Sequence, residues 1–170
     1  IKGSSKKLLN AIDFFETEDN GIAVGYKGNI YKRYDTAWLK KNSGTLDVFY
    51  DVMFVSENVV VAIGDSGLIV RSTDAGETWN KIVSGTDKTL YSINFPSDSI
   101  GYAVGNHGII LKSNDGGETW NDKTYQALEN RYLDVSFLND TSGYVCGDYG
   151  TAIVTHNGGD NWFYIGYKEP

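Results

Sequence analysis

Three arginines, two histidines and one cysteine are the scarce reactive side chains of this chain, set among 22 acidic residues and 12 tyrosines. Gathered in one place, Arg33, Arg71 and Arg131 could hold a carboxylate, because planar guanidinium groups pair with it through two parallel hydrogen bonds. Two placed carboxylates, or a Tyr with a carboxylate partner, could cleave a glycosidic bond. Cys146, His107 and His156 are the only thiol and imidazoles. They fall in separate short segments, so neither a zinc cluster nor a Cys/His nucleophile pair is expected. No glycine-rich loop opens a helix, which removes the phosphate-cradling chemistries.

One pattern is repeated where chemistry would be sought. Residues 72–79 read STDAGETW, 113–120 read SNDGGETW, and 155–162 read THNGGDNW. Each follows a short apolar run and is expected to be the hairpin turn after it. The Asp or Asn side chain accepts backbone N–H groups just ahead of it, the Ser or Thr hydroxyl satisfies another turn group, and Gly closes the loop. Calcium would need 6 to 8 oxygens, and each turn supplies one or two carboxylates, so neither metal nor cofactor is expected.

The elements that position these turns follow from a period. Tryptophans at Trp38, Trp79, Trp120 and Trp162 are spaced by about 41 residues. A glycine ladder keeps step, with Gly25, Gly64, Gly105 and Gly147 each followed three residues later by Gly28, Gly67, Gly108 and Gly150. Each unit reads as four short strands, for example YLDVSF, SGYVCG, TAIVTH and NWFYIG in the last. The glycine pairs imply two-residue hairpin tips, with both glycines at positive φ. Alternation in Tyr91, Ile93, Phe95 and in Leu133, Val135, Phe137 gives each inner strand an apolar side for the next sheet. Cys146, in GYVCG, reads as a small buried core residue. The expected fold is all-β: a β-propeller, or a segment of one, of four-stranded antiparallel blades filling 1–170, with repeats near 8–45, 46–86, 87–128 and 129–170.

The box S-x-D-x-G-x-T-W resembles the Asp-box, or bacterial neuraminidase repeat. Ser72, Asp74, Gly76, Thr78, Trp79 and Ser113, Asp115, Gly117, Thr119, Trp120 match it fully; Thr155, Asn157, Gly159 and Trp162 carry a relaxed copy. The first unit, KRYDTAWLKK, keeps Trp38 alone. The longer pattern GYAVGNHGIILKSNDGGETW is similar to the repeat of the photosystem II assembly and stability factor family, and the likeness covers essentially the whole chain. That resemblance implies that the box is a structural turn away from any active site. It also implies a basic patch for partner contact, for which Lys32, Arg71 and Lys112 are the matching series, although they equally serve to balance local acids.

Asp-box propellers also include sialidases and xyloglucanases. The arginines here read as repeat decoration, and no FRIP-like motif is present, since the only prolines are Pro96 and Pro170. The first reading is therefore a non-catalytic scaffold for a protein partner, not an enzyme. The alternative is a glycan-binding or glycosidase-like propeller, or a fragment of one. In either case the second-to-third strand tips form the binding face, with Tyr26, Lys27, Asp65, Asn106, His107, Asp148 and Tyr149 presented there.

A net charge of -7 and a pI near 4.7 give no field to gather phosphate backbone, so nucleic acid is not an expected partner. No apolar run reaches the roughly 18 residues of a membrane span. The chain begins at Ile1 without a signal-type apolar region, which fits a processed mature protein or a piece of a longer one, and an extracytoplasmic location (periplasmic, secreted or lumenal) is expected. Four complete units leave no spare strand to close a ring. Closure by four blades, by a larger parent propeller, or by pairing of two chains are the three outcomes.

Overall fold

A computed structural model describes residues 8–125 and 130–165. The repeat ends placed at 128, 129 and 170 lie outside the described residues. Four antiparallel sheets of four strands each account for the fold. The first holds β1 (Leu9–Phe14), β2 (Gly21–Gly25), β3 (Ile30–Tyr34) and β4 (Ala37–Lys41); the second β5 (Phe49–Phe54), β6 (Val60–Gly64), β7 (Ile69–Ser72) and β8 (Asn80–Ile82). The third holds β9 (Leu90–Asn94), β10 (Gly101–Gly105), β11 (Ile110–Ser113) and β12 (Asn121–Asp122); the fourth β13 (Tyr132–Phe137), β14 (Gly143–Gly147), β15 (Ala152–Thr155) and β16 (Phe163–Tyr164). Strand order follows chain order in every sheet, which is the blade of a β-propeller. Among the described residues no helix is long and apolar enough to cross a membrane.

Blade faces bury each other in succession, with β1 packed on β5, β5 on β9 and β9 on β13. The core is accordingly three inter-blade clusters rather than one centre. Trp120 sits in the cluster between the second and third blades, edge-on to Phe95 at 5.9 Å. Trp162 does the same between the third and fourth against Phe137 at 6.1 Å. Polar side chains also cross each junction to cap inner-strand N–H groups. Asp13 accepts from Phe54 N at 2.7 Å, Asp51 from Ile93 N at 2.9 Å, and Asn94 from Phe137 N at 3.0 Å.

Three expectations need correction. The alternation does not run through Tyr91 and Leu133, because every inner strand carries a β-bulge near its start. The register skips Asn10, Tyr50, Tyr91 and Leu133, so Leu90 and Tyr132 are buried instead and the bulged residues turn outward. In the tips only the second glycine has positive φ, shared with the residue before it, Lys27, Ser66, His107 or Tyr149. The first glycine is extended; a Cβ on Gly105 would stand 1.9 Å from the Thr89 carbonyl oxygen, so close backbone approach requires it. Cys146 is exposed, because the face of β14 that carries it has no following blade upon it.

Candidate functional site

The box turns come first, because their side chains are the most regular. Ser72 Oγ donates to Asp74 Oδ1 at 2.7 Å and accepts from Gly76 N at 2.8 Å, while Thr78 N and Oγ1 donate to the Asp74 carboxylate at 2.9 and 2.6 Å. Ser113, Asp115, Gly117 and Thr119 repeat this network. Thr155, Asn157, Gly159 and Asn161 keep its backbone part with an amide in place of the carboxylate. Trp79 and Trp120 donate their indole N–H to Gly76 O and Gly117 O, whereas the buried Trp162 indole N–H finds no partner in its relaxed box. Asp74 and Asp115 are each satisfied inside their own turn.

Electrostatics at these turns follow from the same bonds. Burial would raise the Asp74 carboxyl, but hydrogen bonds from Thr78 and Ser72 outweigh it and hold the group down to about 2. Lys32, Lys41 and Tyr34 together hold Glu77 down to about 2. Their depressed values mean a stabilising contribution that is complete above the ordinary carboxylate pKa of about 4 and lost as pH falls toward 2. Asp51, raised by burial, has the opposite sign, and its protonation relieves a cost. The thermal midpoint is expected to drop as pH is lowered from about 5 to about 2, and Glu77→Gln to flatten that drop; an unchanged pH profile in the variant would refute this assignment.

The basic series is engaged at blade junctions. Lys32 Nζ meets Glu77 Oε1 at 2.8 Å, Arg71 Nε donates to Gly116 O at 2.9 Å, and Lys112 Nζ donates to Gly158 O at 2.8 Å. Each reaches from one blade to the box of the next, where it positions the turn. Val154 stands at the matching position of the last blade.

The tips lie on the opposite ends of the strands, beside the links between blades. Ser43 Oγ in the first link donates to Gly28 O at 2.7 Å, and Gly28 N donates to Asp47 O at 2.8 Å. Tyr26, Asp65, Asn106 and Asp148 each anchor their backbone N–H on the carbonyl just before an inner strand. Lys27, His107 and Tyr149 project at the exposed corners, Tyr149 almost fully.

The bulges bring further residues to this face. Tyr50 and Tyr91 meet edge-on, ring centroids 5.3 Å apart. Burial, followed by the charge of the Asp65 carboxylate, pushes the Tyr50 pKa up to about 12. Arg131 donates from its guanidinium to the Asp148 carboxylate at 2.7 and 3.2 Å. That ion pair lowers the Asp148 carboxyl and raises the Arg131 guanidinium, two directions that agree. The Tyr50 and Tyr91 rings therefore join the second and third blades at this face, and the Arg131–Asp148 ion pair lies on the fourth. Of these, Tyr50 escaped the sequence reading, which also took Tyr91 as inward-facing and Arg131 as repeat decoration. The available signal was the unit position Asn10, Tyr50, Tyr91, Leu133, where a two-residue period breaks.

This face offers edge-on aromatic area, the cations Lys27 and Arg131, and several acceptors, which is the chemistry of recognition. Among the described residues no three His, Cys, Asp or Glu side chains converge as metal ligands. His107 and His156 occupy a tip and a box on different blades.

Comparison with known proteins agrees with this architecture. A solved structure of YCF48 from Cyanidioschyzon merolae is similar with a TM-score of 0.72 and 18% identity over 95% of this chain and 57% of that one. YCF48 bound to a D1 peptide gives 0.62 and 22% over 69% of this chain and 39% of that one, and an ancestral GH74 enzyme gives 0.77 and 17% over 95% and 24%. The chain thus spans 39% and 57% of the two YCF48 chains, and at these identities the likeness is one of fold. A search of curated proteins found no significant match. The family model of the photosynthesis system II assembly factor YCF48 matches residues 77–169, more than half of the sequence, and includes the complete second Asp-box. On that match, and on four blades of which two carry the complete Ser, Asp and Thr turn, the chain belongs to the YCF48 family of Asp-box β-propellers.

Proposed function

We propose that this chain is a non-catalytic assembly scaffold that holds an extended peptide segment of a protein partner across the tip face. The observation that carries the reading is the Tyr50 and Tyr91 ring pair, aimed out of the inner strands by bulges and flanked by Asp65 and Arg131. Bulges often mark such re-aimed side chains beside binding sites. Tyrosine rings supply contact area at low rotamer cost, and Arg131 supplies a fork for a peptide carboxylate. Family membership supports the same class of ligand, since a YCF48 structure contains a D1 peptide. The resemblance to GH74 enzymes is one of fold and brings no residue assignment with it. An extracytoplasmic location belongs to this reading and is tested by cell fractionation.

The experiment is a titration of the D1 peptide into the chain. Saturable binding is expected, and Arg131→Ala is expected to weaken it about tenfold, the equivalent of about 1.4 kcal/mol, with an unchanged thermal midpoint. Absence of binding, or equal binding by the variant, would overturn the reading. Turnover of a 4-methylumbelliferyl glycoside that the variant abolishes would establish the glycosidase alternative instead.

A further inference from the structure

Two of the links between blades are built alike. Residues 42–47 read NSGTLD and residues 83–88 read VSGTDK, and in each the serine hydroxyl meets the threonine carbonyl oxygen at 3.2 Å. Gly44 and Gly85 both hold positive φ with nothing within 4 Å of an added Cβ, so open space lies beside each link. A cleft of about 380 Å³ results at the first, where Lys27, Lys40, Thr45 and Leu46 line it. At the second a cleft of about 730 Å³ has Ser66, Lys81, Thr86 and Asp87 in the same places. The strands that follow these links open on Phe49–Tyr50 and Leu90–Tyr91. The third link, TYQALEN at 124–130, lacks the S-G-T motif, and the strand after it opens on Tyr132–Leu133. The motif and the paired rings therefore occur together.

Two independent features gather in these clefts. Lys32 and Lys41 pair with Glu77, Lys88 with Asp87 and Lys123 with Asp160, while Lys112 donates to Gly158 O. Among the described residues the lysines without such a partner are Lys27, Lys40 and Lys81, all exposed and all lining the clefts. In a chain of net charge -7, unpaired lysines confined to two matching clefts present a local positive field to an anion from outside. The acids nearby are already engaged, Asp47 by Thr45 Oγ1 at 2.7 Å and Asp87 by Lys88 at 3.2 Å. The second feature is apolar. Leu46 and Val83, one in each cleft, are 82% and 87% exposed and contribute nothing to the core.

We propose that the two link clefts are subsites for acidic side chains of the partner segment, each taking a carboxylate on its free lysine and an apolar neighbour on Leu46 or Val83. This inference rests on the tip-face reading above and names the segment as acidic and amphipathic, running from the Tyr50 and Tyr91 rings outward along the links. The first cleft is the stronger subsite, because it holds Lys27 and Lys40 and no carboxylate lines it. Isolated carboxylates fit better than a nucleic acid, whose continuous phosphate backbone would meet the net acidity of the chain beyond these few cations.

Two fluorescein-labelled peptides of equal length test this, one with phenylalanine and leucine flanked by glutamate, the other with glutamine in place of each glutamate. The glutamate peptide is expected to bind the parent chain about fivefold tighter at low salt, an advantage that vanishes near about 1 M salt. In the double variant Lys27→Ala/Lys40→Ala the two peptides are expected to bind alike, with an unchanged thermal midpoint because neither lysine has a partner to lose. Lys123→Ala, outside the clefts, is expected to keep the advantage. Equal binding of both peptides by the parent chain, an equal loss in Lys123→Ala, or tighter binding of a labelled oligonucleotide would overturn the inference and leave the tip-face reading in place. Failure of both peptides where the D1 peptide binds would do the same, whereas failure of all three would overturn the reading beneath it.

Discussion

Trp120→Ala is expected to destabilise the chain by about 3 to 5 kcal/mol, the range for removing a large aromatic from a packed core. The ring is almost fully buried between the second and third blades, so its removal opens a cavity in the junction that holds the array together. It also leaves Gly117 O without the indole donor and Phe95 without its edge-on neighbour. Trp38→Ala provides the internal control. That ring occupies the same unit position but lines the open groove of the first blade, half covered. Its loss is expected to cost clearly less, and equal shifts in denaturant midpoint for the two variants would show that the junctions do not carry the stability.

Gly105→Ala is expected to cost about 3 kcal/mol, at the upper end of the usual range for overpacking. Its backbone is extended, which any residue adopts, so the penalty is steric alone. The new Cβ would lie 1.9 Å from Thr89 O and 2.9 Å from Leu90 Cα, both backbone atoms of the inner strand, which no rotamer change can clear. Relief requires separation of β9 from the tip, with loss of the Asn106 N to Thr89 O bond of 2.8 Å. Gly85 supplies the contrast, with φ at +77° and nothing within 4 Å of an added Cβ. Gly85→Ala meets only the left-handed penalty, about 1 to 2 kcal/mol. Chemical denaturation of the two variants side by side checks the ordering, and a larger loss at Gly85 would contradict it.

The Trp and Gly ladders made the blades legible in the sequence, because both residues answer local demands. A box Trp needs only its own turn and the neighbouring face, and Gly105 needs only the carbonyl sixteen residues before it. Features that depend on a third element were not legible. The bulge at Tyr91 shifts the pleat by one residue, and strict alternation then assigns Tyr91 to the wrong side. Cys146 reads as a core residue from its strand-like GYVCG setting, but its exposure depends on which blade follows. Arg131 looks like decoration along the chain, and gains its partner Asp148 only when β13 and β14 pair.

The same distinction separates the box turns from the proposed recognition face. Ser113 and Asp115 direct their bonds into their own turn, whereas the Tyr50 and Tyr91 rings meet across blades at the opposite ends of the strands. The most direct measurement is therefore the D1 peptide titration repeated with the box variant Asp115→Ala beside the tip variant Arg131→Ala. The account predicts that Asp115→Ala lowers the thermal midpoint yet binds like the parent chain below it, while Arg131→Ala keeps the midpoint and loses affinity. Binding lost in Asp115→Ala and retained in Arg131→Ala would contradict it, and would move the recognition surface to the box turns.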